Sequence, residues 1–118
     1  MSRVLVVFQH GPYGCLRSRE GLDFALAAAA YEHRVRVLFV GAGLELLRRG
    51  QDPQSIAQNP YTQGFRALSL HGVEACGFDR QERQARGLRP EDLLIEGQDL
   101  DAAERQRWVR DADCTFTF

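Results

Sequence analysis

Val4-Leu5-Val6-Val7-Phe8 is an unbroken apolar run, closed by polar Gln9 and His10. A strand with one wet face alternates apolar and polar residues. A run without alternation marks a strand covered on both faces, as in the parallel sheets of α/β proteins. Gly11, Pro12 and Gly14 then break regular structure. Residues 19–32 carry Leu22, Ala25, Leu26 and Ala29 on one helical stripe. Ser18 is placed to cap that helix, and Glu20 and Asp23 in its first turns suit the positive end of the helix dipole. Its alanines allow a close approach to a sheet. Residues 35–40 form a second buried strand, which completes a strand–helix–strand unit.

The same alternation continues outward. Gly41-Ala42-Gly43 turns into a short helix over 44–49, ended by Gly50, and 51–60 is a polar loop. Residues 61–70 read as helical, anchored by Phe65 and Leu68. Residues 73–78 form a third strand and 79–86 a helix, with Gly87 beyond its end and Pro90 preventing continuation. A short strand is expected at 93–95 and a helix at 100–110, burying Leu100, Ala103 and Trp108. Cys114, Phe116 and Phe118 alternate with Thr115 and Thr117 in a last strand. Strands alternating with helices about five times predict an α/β fold: one domain over residues 1–118, three layers α/β/α, with a mostly parallel sheet of about five strands. Crossovers are expected to be right-handed. Strand order does not follow from the sequence.

Composition narrows the chemistry. The chain has 118 residues, 44% hydrophobic and 26% charged, with a formal net charge of −1. No overall positive field is available to hold nucleic acid, so direct nucleic-acid binding is not expected. All 15 basic residues are Arg. Without Lys there is no Schiff-base chemistry and no P-loop. Gly41-Ala42-Gly43 supplies only part of a dinucleotide fingerprint. The first apolar run is too short for a secretion signal core and no stretch reaches membrane-spanning length, so a cytoplasmic protein away from membranes is expected. Cys15, Cys76 and Cys114 are an odd number and widely spaced, which reads as reduced thiols rather than a disulfide framework or a zinc site. No metal and no cofactor is expected.

In open α/β sheets ligands gather beyond the carboxyl ends of the strands. Two thiols fall near such places, Cys15 in the loop after the first strand and Cys76 in the third strand. They are the weak catalytic candidates. A thiol that carries sulfur must attack as thiolate, which a helix N-terminus or a cation favours. Asp79 and Glu82 form D-x-x-E, an N-cap with a reciprocal partner, and two carboxylates there favour a neutral thiol at Cys76. A small structural cysteine is the stronger reading of Cys76. For Cys15, beside Tyr13, Arg17 and Arg19, a reactive and an incidental loop thiol weigh equally. Cys114 reads as core. His10 is an acid–base candidate, more simply a loop histidine satisfied by backbone. Arg80, Arg83 and Arg86 read as a solvated helix face more readily than a basic patch.

Together these segments resemble a known family. The likeness is carried by the first strand and its Pro/Gly loop, Arg19-Glu20-Gly21-Leu22-Asp23, Leu38-Phe39-Val40, Leu44-Glu45-Leu46-Leu47, Gly50-Gln51-Asp52-Pro53, residues 61–70, Val73-Glu74-Ala75-Cys76, Arg86-Gly87-Leu88 and the aromatic Phe118. The chain is similar to the TusC/DsrF branch of the DsrE/DsrF-like sulfur-relay superfamily. That resemblance implies a heterohexamer of three paralogous chains (TusB, TusC and TusD, or DsrH, DsrF and DsrE) passing persulfide sulfur, toward 2-thiouridine at the tRNA wobble position or in sulfur oxidation. It places the sulfur-carrying cysteine on the TusD/DsrE subunit, after the third strand. The matching position here is Asp79, so the resemblance implies a non-catalytic subunit. Tyr13, Tyr61, Phe65 and Trp108 are candidate interface residues. A persulfide carrier acting through Cys76 or Cys15, and a small-molecule binding module using the strand-end crevice, are the alternatives.

Overall fold

In a computed structural model, which describes residues 2–12, 16–49 and 61–118, the order along the chain is β1 (Arg3–Phe8), α1 (Arg17–Ala30), β2 (Arg34–Phe39), a 3-10 turn (Gly41–Leu47), a second 3-10 turn (Tyr61–Arg66) running into α2 (Ala67–Leu70), β3 (Ala75–Asp79), α3 (Arg80–Ala85), a third 3-10 turn (Pro90–Asp92), β4 (Gln98–Leu100), α4 (Ala102–Asp111) and β5 (Cys114–Thr117). All strand pairs are parallel, and the sheet order is β4-β3-β2-β1-β5. The expected class, α/β with a five-stranded parallel sheet, is the one observed.

Order and layering share one cause. From β1 to β4 the chain steps along the sheet in one direction, so right-handed crossovers put all three connections on one face. There Val4, Val6 and Phe8 of β1 and Val35, Val37 and Phe39 of β2 meet Leu22 and Ala25 of α1, with Leu44, Phe65, Leu68, Leu88 and Leu93 from the later connections. The Phe8 ring stacks on Phe39 at 5.2 Å and meets Phe65 edge-on at 5.2 Å. The return from β4 to β5 runs the other way and lays α4 on the second face, the one helix there among the described residues. A smaller core of Leu5, Leu38, Leu100 and Trp108 forms there.

Several local expectations are corrected. Ser18 is not the cap of α1: Leu16 holds that position, and the buried Ser18 hydroxyl donates to the His10 carbonyl at 2.9 Å. The strand expected at 93–95 is irregular chain. Leu93 and Leu94 are buried there, and Leu93 makes only a bridge to Arg48. The fourth strand is Gln98–Leu100 instead. α4 starts after Asp101, in a capping box with Glu104 (Glu104 N–H to Asp101 Oδ1, 2.8 Å; Asp101 N–H to Glu104 Oε1, 3.2 Å). Ala103 is exposed, and Leu100 is buried from β4 rather than from the helix. Cys114 is exposed, because β5 is an edge strand. The Gly50 stop and the 51–60 loop lie outside the described residues.

Arginines lock the connections. Arg83 is buried and grips Asp99 of β4 with two nitrogens (2.9 and 2.6 Å) while donating to the Leu88 carbonyl at 2.7 Å. Arg86 pairs with Glu82 at 2.8 Å and with Glu45 at 3.1 Å, tying α3 to the first 3-10 turn. With Arg83 and Arg86 committed, Arg80, Arg83 and Arg86 do not form a basic patch. Arg48 and Arg86 hold the Glu45 carboxyl below its ordinary range against the opposing effect of burial, Arg48 contributing most.

Candidate functional site

The carboxyl ends of the strands carry Gln9 and His10 after β1, Val40 after β2, Asp79 at the end of β3 and Asp101 after β4. Ser18 fastens the first of these ends, since its hydroxyl on the first turn of α1 holds the His10 carbonyl. His10 Nδ1 is buried and has no hydrogen-bond partner among the described residues, so backbone does not satisfy the ring nitrogen as expected. The second end is packed against the first: Val40 N–H donates to the Phe8 carbonyl at 2.9 Å.

Asp79 is the most heavily engaged group at this edge. Its Oδ1 accepts the Glu82 N–H at 3.2 Å, capping α3, and also receives Arg105 Nη1 of α4 at 3.0 Å. Arg105 donates in addition to the Leu100 carbonyl at 3.3 Å. The reciprocal half of the expected cap is replaced, because the Glu82 carboxylate turns to Arg86. Asp79 is therefore a clamp between α3 and α4. The D-x-x-E motif announces the cap; Arg105, 26 residues further on, has no local signal.

Cys76 is elsewhere. It lies three residues before Asp79 on the same strand, and residues an odd number apart on a strand face opposite sides. Cys76 packs against the larger core, while Asp79 reaches Arg105 on the side of α4. Its groove, of about 600 Å³, is lined by Arg49, Arg66, Leu68, Ile95 and Glu96 among others. Burial pushes the Cys76 thiol up to about 11. The neutral thiol foreseen from the sequence is thus what burial dictates, and the carboxylates of α3 are not its cause. Against an ordinary cysteine near 9, the thiolate population at neutral pH is lower by about a hundredfold, ten per pKa unit. Iodoacetamide at pH 7.5 is expected to label Cys76 at least ~tenfold more slowly in the folded chain than in urea, because the greater nucleophilicity of a more basic thiolate offsets part of its lower population. Mass spectrometry of the tryptic peptide measures this, and equal rates would show that the thiol is not held neutral. Cys15 and Tyr13 lie outside the described residues.

Two candidate interface residues are core: Phe65 is fully buried, and Trp108 packs under the sheet. Among the described residues no cluster of three or more His, Cys, Asp or Glu is arranged to hold a metal, and no helix is long and apolar enough to cross a membrane.

These features define a small, all-parallel α/β protein whose third strand ends in a clamped carboxylate. The chain belongs to the DsrE/DsrF-like family, whose model matches residues 2–118. It is 38% identical over 106 residues, 90% of each chain, to the protein TusC homolog of Vibrio vulnificus. To the protein TusC of Shigella flexneri it is 32% identical over 119 residues, 100% of each chain. The crystal structure of the ychN protein from E. coli superposes with a TM-score of 0.85 over the whole of both chains at 21% identity, a likeness of fold.

Proposed function

We propose that this chain is a non-catalytic subunit of a cytoplasmic sulfur-relay complex, assembled with TusB-like and TusD-like paralogues and supporting persulfide transfer toward 2-thiolation of the tRNA wobble uridine. Membership of the DsrE/DsrF-like family and the TusC relatives support a relay subunit. The observation that carries the non-catalytic role is Asp79. A carboxylate cannot form a persulfide, and this one is spent on capping α3 and holding Arg105. Cys76 does not stand in for a thiol at that position, since it faces the other side of the sheet and burial keeps it protonated.

The test is sulfur transfer in the assembled complex with a labelled persulfide donor. The variant carrying both Cys76→Ser and Cys15→Ser is expected to transfer within about twofold of wild type, because neither thiol has a share of the chemistry. Loss of transfer with assembly intact would make this chain a carrier in its own right.

A further inference from the structure

α3 is held to the domain by charge. Among the described helices, α1 buries Leu22 and Ala25, α2 buries Leu68 and α4 buries Trp108, whereas the buried residue of α3 is Arg83. The single apolar side chain of α3, Ala85, is exposed. A helix of six residues does not keep its shape alone in water; it needs a packed face. Ion pairs stand in for that face. Arg83 reaches Asp99 of β4 through Nε and Nη2, and the Leu88 carbonyl through Nη1. Arg86 reaches Glu45 of the first 3-10 turn. The helix is bounded by Asp79, which Arg105 holds, and by Gly87, at φ +66°. Leu88, just beyond, is buried in the larger core. Arg83 and Asp99 also line a cavity of about 320 Å³ with Phe78, Leu93 and Ile95.

We propose that α3 is an ion-latched flap: residues 80–87 swing off the sheet as one unit when Arg83 loses Asp99, while the sheet and both cores stay folded. Breaking one side of a buried ion pair leaves a charge with neither partner nor water, a costly state. The chain escapes it by letting Arg83 out into solvent. For a helix with an apolar anchor, that escape would strip surface from the core. α3 takes no buried apolar side chain with it, so opening it costs less than unfolding the domain. Leu88 stays behind as the fixed point. Gly87, in the left-handed region without strain, suits the pivot, since hinges sit at the ends of elements. Opening uncovers Phe78 and Leu93 on the cavity wall. They lie beside the carboxyl end of β3, the end of a parallel strand at which α/β sheets take their ligands. The latch is a property of the fold and goes beyond the relay-subunit reading, on which it does not depend.

Hydrogen–deuterium exchange of the full chain, read by mass spectrometry on peptic peptides, tests the latch. The amides of Glu82, Arg86, Gly87 and Leu88 report on it, because they donate to Asp79 Oδ1 and to the carbonyls of Glu82, Gln84 and Arg83. In Asp99→Asn, peptides spanning 80–88 are expected to exchange at least ~tenfold faster than in the wild type, and those of β1 and β2 within about twofold of it. Adding Arg83→Met removes the stranded charge and leaves an apolar stem in its place. The double variant should therefore return the α3 peptides to within about threefold of the wild type. Unchanged exchange over 80–88 in Asp99→Asn overturns the proposal, because the pair would then latch nothing. Equal acceleration across the sheet overturns it as well, since α3 would not open on its own. A double variant as fast as Asp99→Asn alone places the damage in β4 rather than in the latch, and this too overturns it.

Discussion

Gly43→Ala is expected to destabilise the fold by about 4 kcal/mol or more. A side chain at this position would be driven into the backbone of β1: its Cβ would lie 2.6 Å from the Phe8 carbonyl carbon, 3.1 Å from the Gln9 nitrogen and closer still to the Phe8 oxygen. None of these atoms can yield cheaply. β1 is held between β2 and β5, and the Phe8 carbonyl already accepts the Val40 N–H. A clash with fixed backbone belongs to the class of substitutions costing on the order of 4 kcal/mol or more, a large part of the roughly 5–15 kcal/mol that holds a domain together. Gly41→Ala, two residues earlier, separates space from conformation. Gly41 has φ +51°, and a Cβ there would meet nothing within 4 Å, so its substitution should cost only about 1–2 kcal/mol of left-handed backbone strain. Urea unfolding followed by circular dichroism measures both. A Gly43→Ala chain within about 1 kcal/mol of wild type would mean that the turn after β2 does not sit on β1 as described.

The second large effect is expected at Trp108. Among the described residues, four buried side chains form the core of the second face, and Trp108 is the largest of them. Its ring fills the space above Gly77, where a Cβ would come within 2.9 Å of it, and carries the Arg36 guanidinium 5.2 Å from its centroid. Trp108→Ala should cost about 3–5 kcal/mol in urea unfolding, through lost burial and the cavity left behind. Trp108→Phe should recover most of that. A loss below about 1 kcal/mol for the alanine variant would show that α4 is only loosely laid on the sheet.

β1, α1 and β2 were legible because each is buried by a local pattern: a continuous apolar run for β1, a run broken only by Arg36 over residues 35–40 for β2, and a stripe of period 3.6 for the helix. Legibility failed where burial and hydrogen bonding part company. Leu93 and Leu94 are as apolar as a strand, yet they enter the core from irregular chain. The polar Gln98 and Asp99 belong to a strand because the edge of the sheet asks only Leu100 to be buried. Cys114 shares the alternation of Phe116 and Phe118, and Phe116 does pack on Phe24 at 4.6 Å, but at the open edge of the sheet the thiol is exposed. At the candidate site the cap by Asp79 was written in four adjacent residues. The arginine that makes it a clamp comes from α4, and it has no signature shorter than the fold itself.

The relay-subunit reading meets its most direct test in affinity purification of the tagged chain from its native host, with the recovered assembly weighed intact by native mass spectrometry. Recovery with two related small α/β chains in equal ratio is the expected result, and it moves the sulfur-carrying step to a partner. Recovery as a lone monomer or a homo-oligomer would contradict the assignment of this chain as a subunit of a heteromeric relay.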